Sequence, residues 1–267
     1  MHIRGFSFTQ ELSHSVISQI CLAYLLQFNT SKPPDRDLVA SSPLANYAAK
    51  YWISHTHSSG KNRSQSPVGF TLMKKFFTDE SAAFLNWVRL CDVDNFGVTM
   101  LQKPMNEIAK PLYYTSLTGL SEASHTLLEM GADLNAQGGN HGNALQATVY
   151  GGHEAIAKLL IEKGADVNAQ GGKYGNALYA ASERGHETIA KLLIEKGADV
   201  NAQGGYYGNA LYVASQRGHG AIAKLLMEKG ADVNAWGGHY GNALHVASEK
   251  GHEAIAKLLI EKGADVQ

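Results

Sequence analysis

The C-terminal part of the chain repeats one pattern of apolar and polar positions. In residues 187–196, Ile189, Leu192 and Leu193 lie at i, i+3 and i+4, which is the spacing of one apolar helix face. Gly197 follows directly, at the place where a helix end favours a left-handed glycine. This segment therefore predicts an amphipathic helix that packs through one face and ends at Gly197.

A shorter helix is predicted just before it, over residues 177–184 with Asn176 as its N-cap, and a glycine-rich extended stretch joins each helix pair to the next. The string Gly-Ala-Asp-Val-Asn recurs in steps of 33 residues, and an earlier form of it reads Gly-Ala-Asp-Leu-Asn. The earlier form begins at Gly131 and the full string at Gly164, Gly197 and Gly230, and it begins again at Gly263 as Gly-Ala-Asp-Val before Gln267. A fixed period of this length predicts stacked copies of one helical unit.

The period divides the chain into a helical N-terminal region, residues 1–106, and a repeat domain, residues 107–267. The repeat domain holds four full units and a shortened fifth; the full units are roughly 107–139, 140–172, 173–205 and 206–238. In the first region the apolar spacing predicts helices over about 10–28, from Ser42-Pro43 onward, over 68–77 and over 81–91. The second of these carries Leu44, Tyr47, Ala48 and Tyr51 on one face, and residues 29–42 and 58–66 are predicted as a loop and a polar linker.

The repeat units resemble the ankyrin repeat. The second-helix segment from Gly185-His186 through Leu192-Leu193 to Gly197-Ala198-Asp199-Val200-Asn201 follows that family's pattern over about three-fifths of the chain. Two departures stand out. Asn-Ala-Leu-Gln, Asn-Ala-Leu-Tyr or Asn-Ala-Leu-His replaces the family's Thr-Pro-Leu-His, and aromatic residues occupy the hairpin tip. The resemblance implies an all-α ankyrin-repeat solenoid, preceded here by an irregular helical region.

Three segments of the N-terminal region, 20–26, 43–52 and 83–87, look like the helical part that precedes the repeats in fungal NACHT–ankyrin receptors, which are NLR-like proteins. The Gly-Gly-x-x-Gly-Asn-Ala-Leu units are similar to the same group. In that family an upstream nucleotide-binding domain drives oligomerisation and the repeats sense a partner. The resemblance implies that this chain is the sensing arm of such a receptor, or a derivative of one, without the nucleotide-binding domain.

Charge and composition narrow the choice of partner. The net charge is −1, and residues 107–267 carry thirteen Lys/Arg against seventeen Asp/Glu, which disfavours binding of nucleic acid or of an anionic membrane. The longest apolar run, residues 20–26, is too short to cross a bilayer, and the first ten residues lack the apolar core of a signal peptide. Two cysteines, Cys21 and Cys91, make a disulfide framework improbable. We expect an intracellular protein in the cytoplasm, with the nucleus left open.

Two periodic motifs resemble a phosphate-binding loop and a histidine metal site, but a structural role in every repeat explains both better. The loop at Gly171–Gly175 has Tyr174 where a phosphate-binding Walker loop needs Ser or Thr. His153, His186, His219 and His252 each precede a second helix, but equivalent positions in stacked units lie about 8–10 Å apart, too far for shared metal ligation. We interpret these histidines as bonding backbone groups at the inter-helix turn. No catalytic constellation is present in the sequence, so we expect no enzyme activity, no cofactor, no metal and no small-molecule substrate.

Differences between nearly identical units point to the functional surface. They collect at the hairpin tips and at the ends of the first helices, which line the concave face in the ankyrin fold. Tyr, His and Arg are favoured at binding surfaces because they offer large contacts or paired donors. The predicted protein-binding residues are His141, Tyr150, Lys173, Tyr174, Glu183, Arg184, Tyr206, Tyr207, Gln216, Arg217, Trp236, His239, Tyr240, Glu249 and Lys250. A further column of varying positions is interpreted as packing between units: Gln146, Tyr179, Tyr212 and His245.

The sequence thus favours a protein–protein interaction module whose partner it does not identify. Replacing Tyr174, Tyr207 and Tyr240 by Ala is expected to abolish partner capture without unfolding the stack. The alternative is a truncated or purely structural scaffold fragment with no recognition role of its own. Ile255, Leu258 and Leu259 beside an uncovered end of the stack would favour that alternative.

Overall fold

A computed structural model describes residues 9–60, 67–78, 81–95, 97–205, 208–238 and 241–266. The backbone forms two compact units. The first comprises the described residues of Met1–Pro111 together with Glu122–Gly131, and the second comprises Leu112–Ser121 together with Ala132–Gln267. Among the described residues, no helix combines the length and the apolar character that a bilayer span requires. The division at residues 106 and 107 stays a prediction.

The first unit is helical, as predicted. Its α-helices are α1 (Gln10–Leu25), α2 (Arg36–Ala40), α3 (Ala45–Ser58), α4 (Pro67–Phe76), α5 (Ala82–Leu90) and α7 (Ser121–Glu129), with 3₁₀ turns at Leu26–Phe28, Val93–Asn95 and Met105–Glu107. Thr9, Asp35 and Ser81 cap α1, α2 and α5 by accepting a backbone N–H three residues later. The five-residue helix α2 was predicted as part of a loop, because Pro33 and Pro34 and polar residues precede it.

An aromatic cluster forms the core of the first unit. Trp87 packs edge-on against Trp52 and Phe76, with ring centroids 5.7 Å and 5.8 Å away, and Phe77 and Phe84 surround the same site. All five rings are buried. The Trp87 indole N–H donates to the carbonyl of residue 49 at 3.0 Å, so its polar atom is satisfied inside the core.

Helix α3 packs through a different face from the one that its largest side chains suggest. Leu44, Tyr47 and Tyr51 are exposed, whereas Trp52 is buried among the aromatic rings. The smallest residues of the helix complete the buried face, which consists of Ala45, Ala48, Ala49, Trp52 and Thr56. Small residues let α1 approach closely, so the size of a side chain alone did not indicate which face is buried.

The second unit contains the predicted helix pairs. After α6 (Pro111–Leu117), the first helices are α8 (Ala144–Gly151), α10 (Ala177–Arg184), α12 (Ala210–Arg217) and α14 (Ala243–Glu249). The second helices are α9 (Glu154–Glu162), α11 (Glu187–Glu195), α13 (Gly220–Glu228) and α15 (Glu253–Glu261). In one hairpin, β1 (Gln203–Gly204) pairs antiparallel with β2 (Gly208–Asn209), and single bridges close the hairpins at 171/175 and 237/241.

The predicted caps are confirmed. Asn143, Asn176, Asn209 and Asn242 each accept the backbone N–H three residues later at the start of a first helix. Gly197 has φ +91°, and no atom lies within 4 Å of where its Cβ would be, so backbone conformation alone explains this glycine. Gly185 also has positive φ, +77°, but its Cβ would lie 2.6 Å from the ring of His219 in the next unit.

The histidines that precede the second helices connect each repeat to the preceding repeat. Nε2 of His153, His219 and His252 lies 3.0–3.2 Å from the carbonyl oxygens of residues 117, 183 and 216, as hydrogen bonds. The ring of His186 lies against Gly152 of the preceding repeat, but its Nε2 has no hydrogen-bond partner within the described residues. The predicted structural role is confirmed, with the refinement that the bonds cross between units. In the described part of the chain, no group of three His, Cys, Asp or Glu side chains is placed to hold a metal ion.

A second contact between successive repeats explains why the string Gly-Ala-Asp-Val-Asn ends in Asn. Oδ1 of Asn135, Asn168, Asn201 and Asn234 accepts the backbone N–H of the Asp in the next copy of the string, at 2.8–3.0 Å. The side-chain amide of Asn168 also donates to the carbonyl of Gly197 at 3.0 Å. Each Asn therefore clamps the backbone of the following unit, which is why the residue recurs every 33 positions.

A third joint confirms most of the predicted packing column. Tyr179 and Tyr212 are buried, and their rings lie where a Cβ on Gly205 or Gly238 of the next hairpin would clash. Gln146 is buried as well, and its amide donates to the carbonyls of residues 169, 171 and 175 in the next hairpin at 2.9–3.2 Å. His245 is exposed, contrary to its predicted packing role, since no later hairpin lies against it within residues 241–266.

Candidate functional site

The predicted binding residues lie in two columns of the second unit: the hairpin tips and the ends of the first helices. Tyr206, Tyr207, His239 and Tyr240 lie outside the described residues. Among the others, Lys173, Arg184 and Arg217 are exposed, and so are Glu249 and Lys250. Tyr150, Glu183 and Gln216 are partly exposed. We call the surface formed by these two columns the tip face.

The tip face is built around a stack of three rings from two adjacent repeats. The rings of His141 and Tyr150 stack at 4.0 Å, and His141 and Tyr174 lie parallel at 5.8 Å with an interplanar angle of 2°. Tyr150 and Tyr174 are 5.6 Å apart. The stack therefore ties the tip at 140–141 to the next tip at 173–174 and to the end of α8.

Backbone contacts explain why the tips at 141 and 174 are close enough to stack. The Lys173 N–H donates to the Asn140 carbonyl at 2.8 Å, and a Cβ on Gly172 would clash with the backbone of His141. The Tyr113 hydroxyl accepts the His141 N–H at 3.1 Å from the other side. Glycine at 172 is thus required for the approach of one tip to the next.

His141 and Tyr174 are predicted contact residues that the structure buries. Only 6% of His141 and 7% of Tyr174 is exposed, because each ring is covered by the neighbouring tip. These two side chains offer little surface to a partner and instead shape the tip face from beneath. An alanine at Tyr174 would remove part of the stack, so that substitution is not a clean test of binding.

Burial also sets the charge of the two rings. Desolvation, aided by the positive charges of Lys173 and Arg184, lowers the pKa of His141 from 6.5 to about 4. Desolvation, together with Glu183 and Tyr150, raises the pKa of Tyr174 from 10.0 to about 12. Both rings are therefore neutral near neutral pH, and the charge of the tip face comes from its Lys, Arg and Glu side chains.

Two cations lie against the stacked rings. The guanidinium of Arg184 is 4.7 Å from the centre of the Tyr150 ring, and the Lys173 ammonium is 5.6 Å from the centre of the Tyr174 ring. Both distances are within the range of cation–π attraction. The rings thereby hold two long side chains in place without neutralising their charge.

One repeat further on, the same cation position makes an ion pair. Arg217 Nη2 lies 2.8 Å from Glu183 Oε1, and the Glu183 side chain is only 15% exposed. The Lys250 ammonium is 3.3 Å from the carboxylate of its neighbour Glu249. The tip face thus combines an aromatic-cation region, at Tyr150 and Arg184, with a neutralised region around Arg217.

Trp236 is the most exposed large apolar side chain described, with 78% of its surface accessible. Its ring edge lies 3.6–3.7 Å from where a Cβ on Gly241 would be, so it borders its own hairpin. The three earlier units have Gln137, Gln170 and Gln203 at this position. This exposure leaves the indole accessible to a partner, as a predicted protein-binding residue requires.

Two contacts were not predicted from the sequence: the hydrogen bonds from the Gln146 amide to the next hairpin, and the pairing of Glu183 with Arg217 across repeats. Gln146 is the one polar exception between tyrosines at 113, 179 and 212, and that break in the column was the available signal. Glu183 and Arg217 are 34 residues apart in the sequence, and no local sequence pattern predicts that they pair.

Two comparisons with known proteins fit this architecture. A protein named azaphilone pigments biosynthesis cluster protein L, from Monascus ruber, is 37% identical over 159 residues; the match covers 55% of this chain and 33% of that protein, so the chain spans about a third of its length. Neither comparison supports the narrower resemblance to NACHT–ankyrin receptors. The family described as "Ankyrin repeats (3 copies)" matches residues 112–204 and 204–267. This match covers more than half of the sequence, and the chain belongs to the ankyrin-repeat family.

Proposed function

We propose that this chain is a protein-binding module that captures a protein partner on its tip face, the concave face of an ankyrin stack. Ankyrin repeats generally mediate protein–protein interaction. One observation carries the assignment to this face. The His and Asn side chains that join successive repeats recur with the period, whereas the tip face changes from repeat to repeat and keeps its cations and Trp236 exposed.

The chemistry of the exposed residues supports the proposal. Trp and Arg are enriched among the residues that dominate binding energy, because they combine large contact area with directional donors. Trp236, Arg184 and Arg217 provide these side chains. The exposed residues of the second helices are instead a repeated Lys/Glu surface, for example Lys191 and Glu195, which shows no variation suited to one specific partner.

A site-specific photo-crosslinker tests the assignment. p-Benzoylphenylalanine in place of Trp236 keeps an aromatic side chain on the tip face, and the same residue in place of Lys191 puts the reporter on exposed α11. In the cells that naturally produce this protein, we expect the variant at residue 236 to crosslink to one discrete protein. The variant at residue 191 is expected to give no crosslinked product. Equal crosslinking from both positions, or discrete products from Lys191 alone, would contradict the proposal.

The narrower form of the proposal is a sensing arm of an NLR-like receptor. It is motivated by segments 20–26, 43–52 and 83–87, and it predicts a nucleotide-binding domain encoded in frame upstream of Met1. Sequencing the full transcript distinguishes this form from a small adaptor. In both forms the chain works by binding, without catalysis or cofactor, in the cytoplasm or nucleus.

A further inference from the structure

Equivalent positions in successive repeats show how each cation of the tip face is used. Residues 184, 217 and 250 are Arg, Arg and Lys, and each follows the period of 33. Their neighbours one repeat earlier are residues 150, 183 and 216, which are Tyr, Glu and Gln. Arg184 lies on the ring of Tyr150, whereas Arg217 binds the carboxylate of Glu183. For the two arginines, the residue of the preceding repeat therefore decides whether the cation is neutralised, whereas Lys250 pairs with its own neighbour Glu249.

Arg184 makes no ion pair with a described residue. A tyrosine ring attracts a guanidinium through its quadrupole and carries no net charge to cancel it. Among the described residues, no carboxylate lies within 4.0 Å of the charged groups of Arg184 or Lys173. The nearest carboxylate along the helix, Glu183, is already bound to Arg217 at 2.8 Å.

Lys173 adds a second positive charge at the same place. It is the only Lys or Arg among the paired tip positions 140–141, 173–174, 206–207 and 239–240. Both Lys173 and Arg184 lie close enough to the buried His141 ring to disfavour its protonation. The Nδ1 atom of that ring is buried and has no hydrogen-bond partner within the described chain. Two cations thus surround one aromatic cluster, although the repeat domain as a whole is mildly acidic.

We infer that Arg184 and Lys173 form a carboxylate-binding site on the tip face, which takes an Asp or Glu side chain from an acidic segment of the protein partner. The inference rests on the proposed function and specifies the chemistry of its ligand. Guanidinium groups bind carboxylates through two parallel hydrogen bonds, which are stronger than bonds between neutral groups. Because the Tyr150 ring already orders Arg184, less side-chain entropy is lost when a carboxylate binds.

The partly exposed ring of Tyr150 also limits what can lie next to the carboxylate. It presents an apolar edge beside the guanidinium, which suits an apolar residue adjacent to the Asp or Glu. A short acidic segment with one apolar neighbour satisfies both features. Glu183 would repel such a segment if it were free, so its pairing with Arg217 keeps the site cationic.

A library of short random peptides, selected for binding to the immobilised full chain, tests this inference. We expect the enriched peptides to be rich in Asp and Glu, and their affinity to fall about tenfold or more in Arg184→Gln and further in the double variant with Lys173→Gln. Lys191→Gln removes the same charge from an exposed position on α11 and is expected to leave affinity unchanged. Glu183→Gln releases Arg217 and is expected to tighten binding.

The position of each peptide is read from crosslinking to p-benzoylphenylalanine at residue 236. Peptides that crosslink there but carry no acidic excess, or bind Arg184→Gln as tightly as the native chain, overturn the carboxylate site while leaving the proposed function intact. Peptides that never crosslink from the tip face contradict the proposed function and this inference together. Near-ultraviolet circular dichroism of each variant verifies that the ring stack is retained.

Discussion

The two compact units hold themselves together in different ways. The core of the first is a single cluster of five aromatic rings around Trp87, with no periodic counterpart elsewhere in the described chain. The second is held by three kinds of contact that recur between successive repeats. A His side chain contacts the turn of the preceding repeat, an Asn side chain accepts the backbone N–H of an Asp in the next repeat, and a Tyr or Gln side chain packs on the next hairpin. A damaging substitution should therefore affect the whole of the first unit but only a neighbourhood of the second.

The largest effect is expected from Trp87→Ala. Trp87 is fully buried among four other rings, so its loss leaves a cavity and removes the hydrogen bond that the indole N–H donates to the carbonyl of residue 49. We expect the free energy of unfolding to fall by about 3–5 kcal/mol. Urea unfolding measures the change, and hydrogen exchange should place it in the first unit. Trp236→Ala is the matched control: this exposed Trp should change stability by no more than about 0.5 kcal/mol.

A glycine pair tests the joints of the second unit. Gly185 and Gly251 occupy the same position in two repeats, with φ +77° and +73°. A Cβ on Gly185 would meet the ring of His219 at 2.6 Å, whereas a Cβ on Gly251 meets nothing within 4 Å. We expect Gly251→Ala to cost about 1 kcal/mol from backbone strain alone, and Gly185→Ala about 2–4 kcal/mol.

The difference in stability loss between Gly185→Ala and Gly251→Ala measures the steric contribution of the contact between Gly185 and His219. Adding His219→Ala to Gly185→Ala removes the clash, so the second substitution should cost less in that background than in the native chain. Equal losses for Gly185→Ala and Gly251→Ala would show that the histidine ring moves away freely and that the joint is loose.

The stability of the fold is also expected to depend on pH, through the buried His141 of the tip face. His141 has a pKa of about 4 in the folded chain and an ordinary value of 6.5. As pH falls from 6.5 towards 4, the unfolded chain binds this proton first, so stability that is complete above 6.5 is progressively lost. By about pH 4.5 the loss from this one group should reach about 2 kcal/mol.

His141→Phe keeps an aromatic ring in the stack and removes the titrating group. The free energy of unfolding of native and variant chains, compared between about pH 7 and pH 4.5, should diverge by the amount given above, since all carboxylates titrate in both. Parallel pH profiles for the two chains would mean that His141 is protonated inside the fold as readily as in water.

Much of the second unit could be predicted because its information is local and repeated. Apolar spacing fixed the helices, Asn176 and its equivalents fixed the helix starts, and Gly197 marked a helix end. The structural role of the turn histidines also followed from the period, because a site that recurs in every unit is a joint. In the first unit, the buried face of α3 could not be predicted, since it depends on how closely α1 approaches.

The sequence by itself determined the stack, its period, its caps and the surface where units differ. It did not determine which of those differing residues reach solvent. His141 and Tyr174 are buried because Gly172 lets one tip press on the one before it, and that contact joins residues a full repeat apart. Whether an arginine is neutralised or left charged was likewise decided by the residue facing it from the preceding unit. A local pattern encodes backbone conformation, but burial and charge pairing depend on what folding brings opposite each side chain.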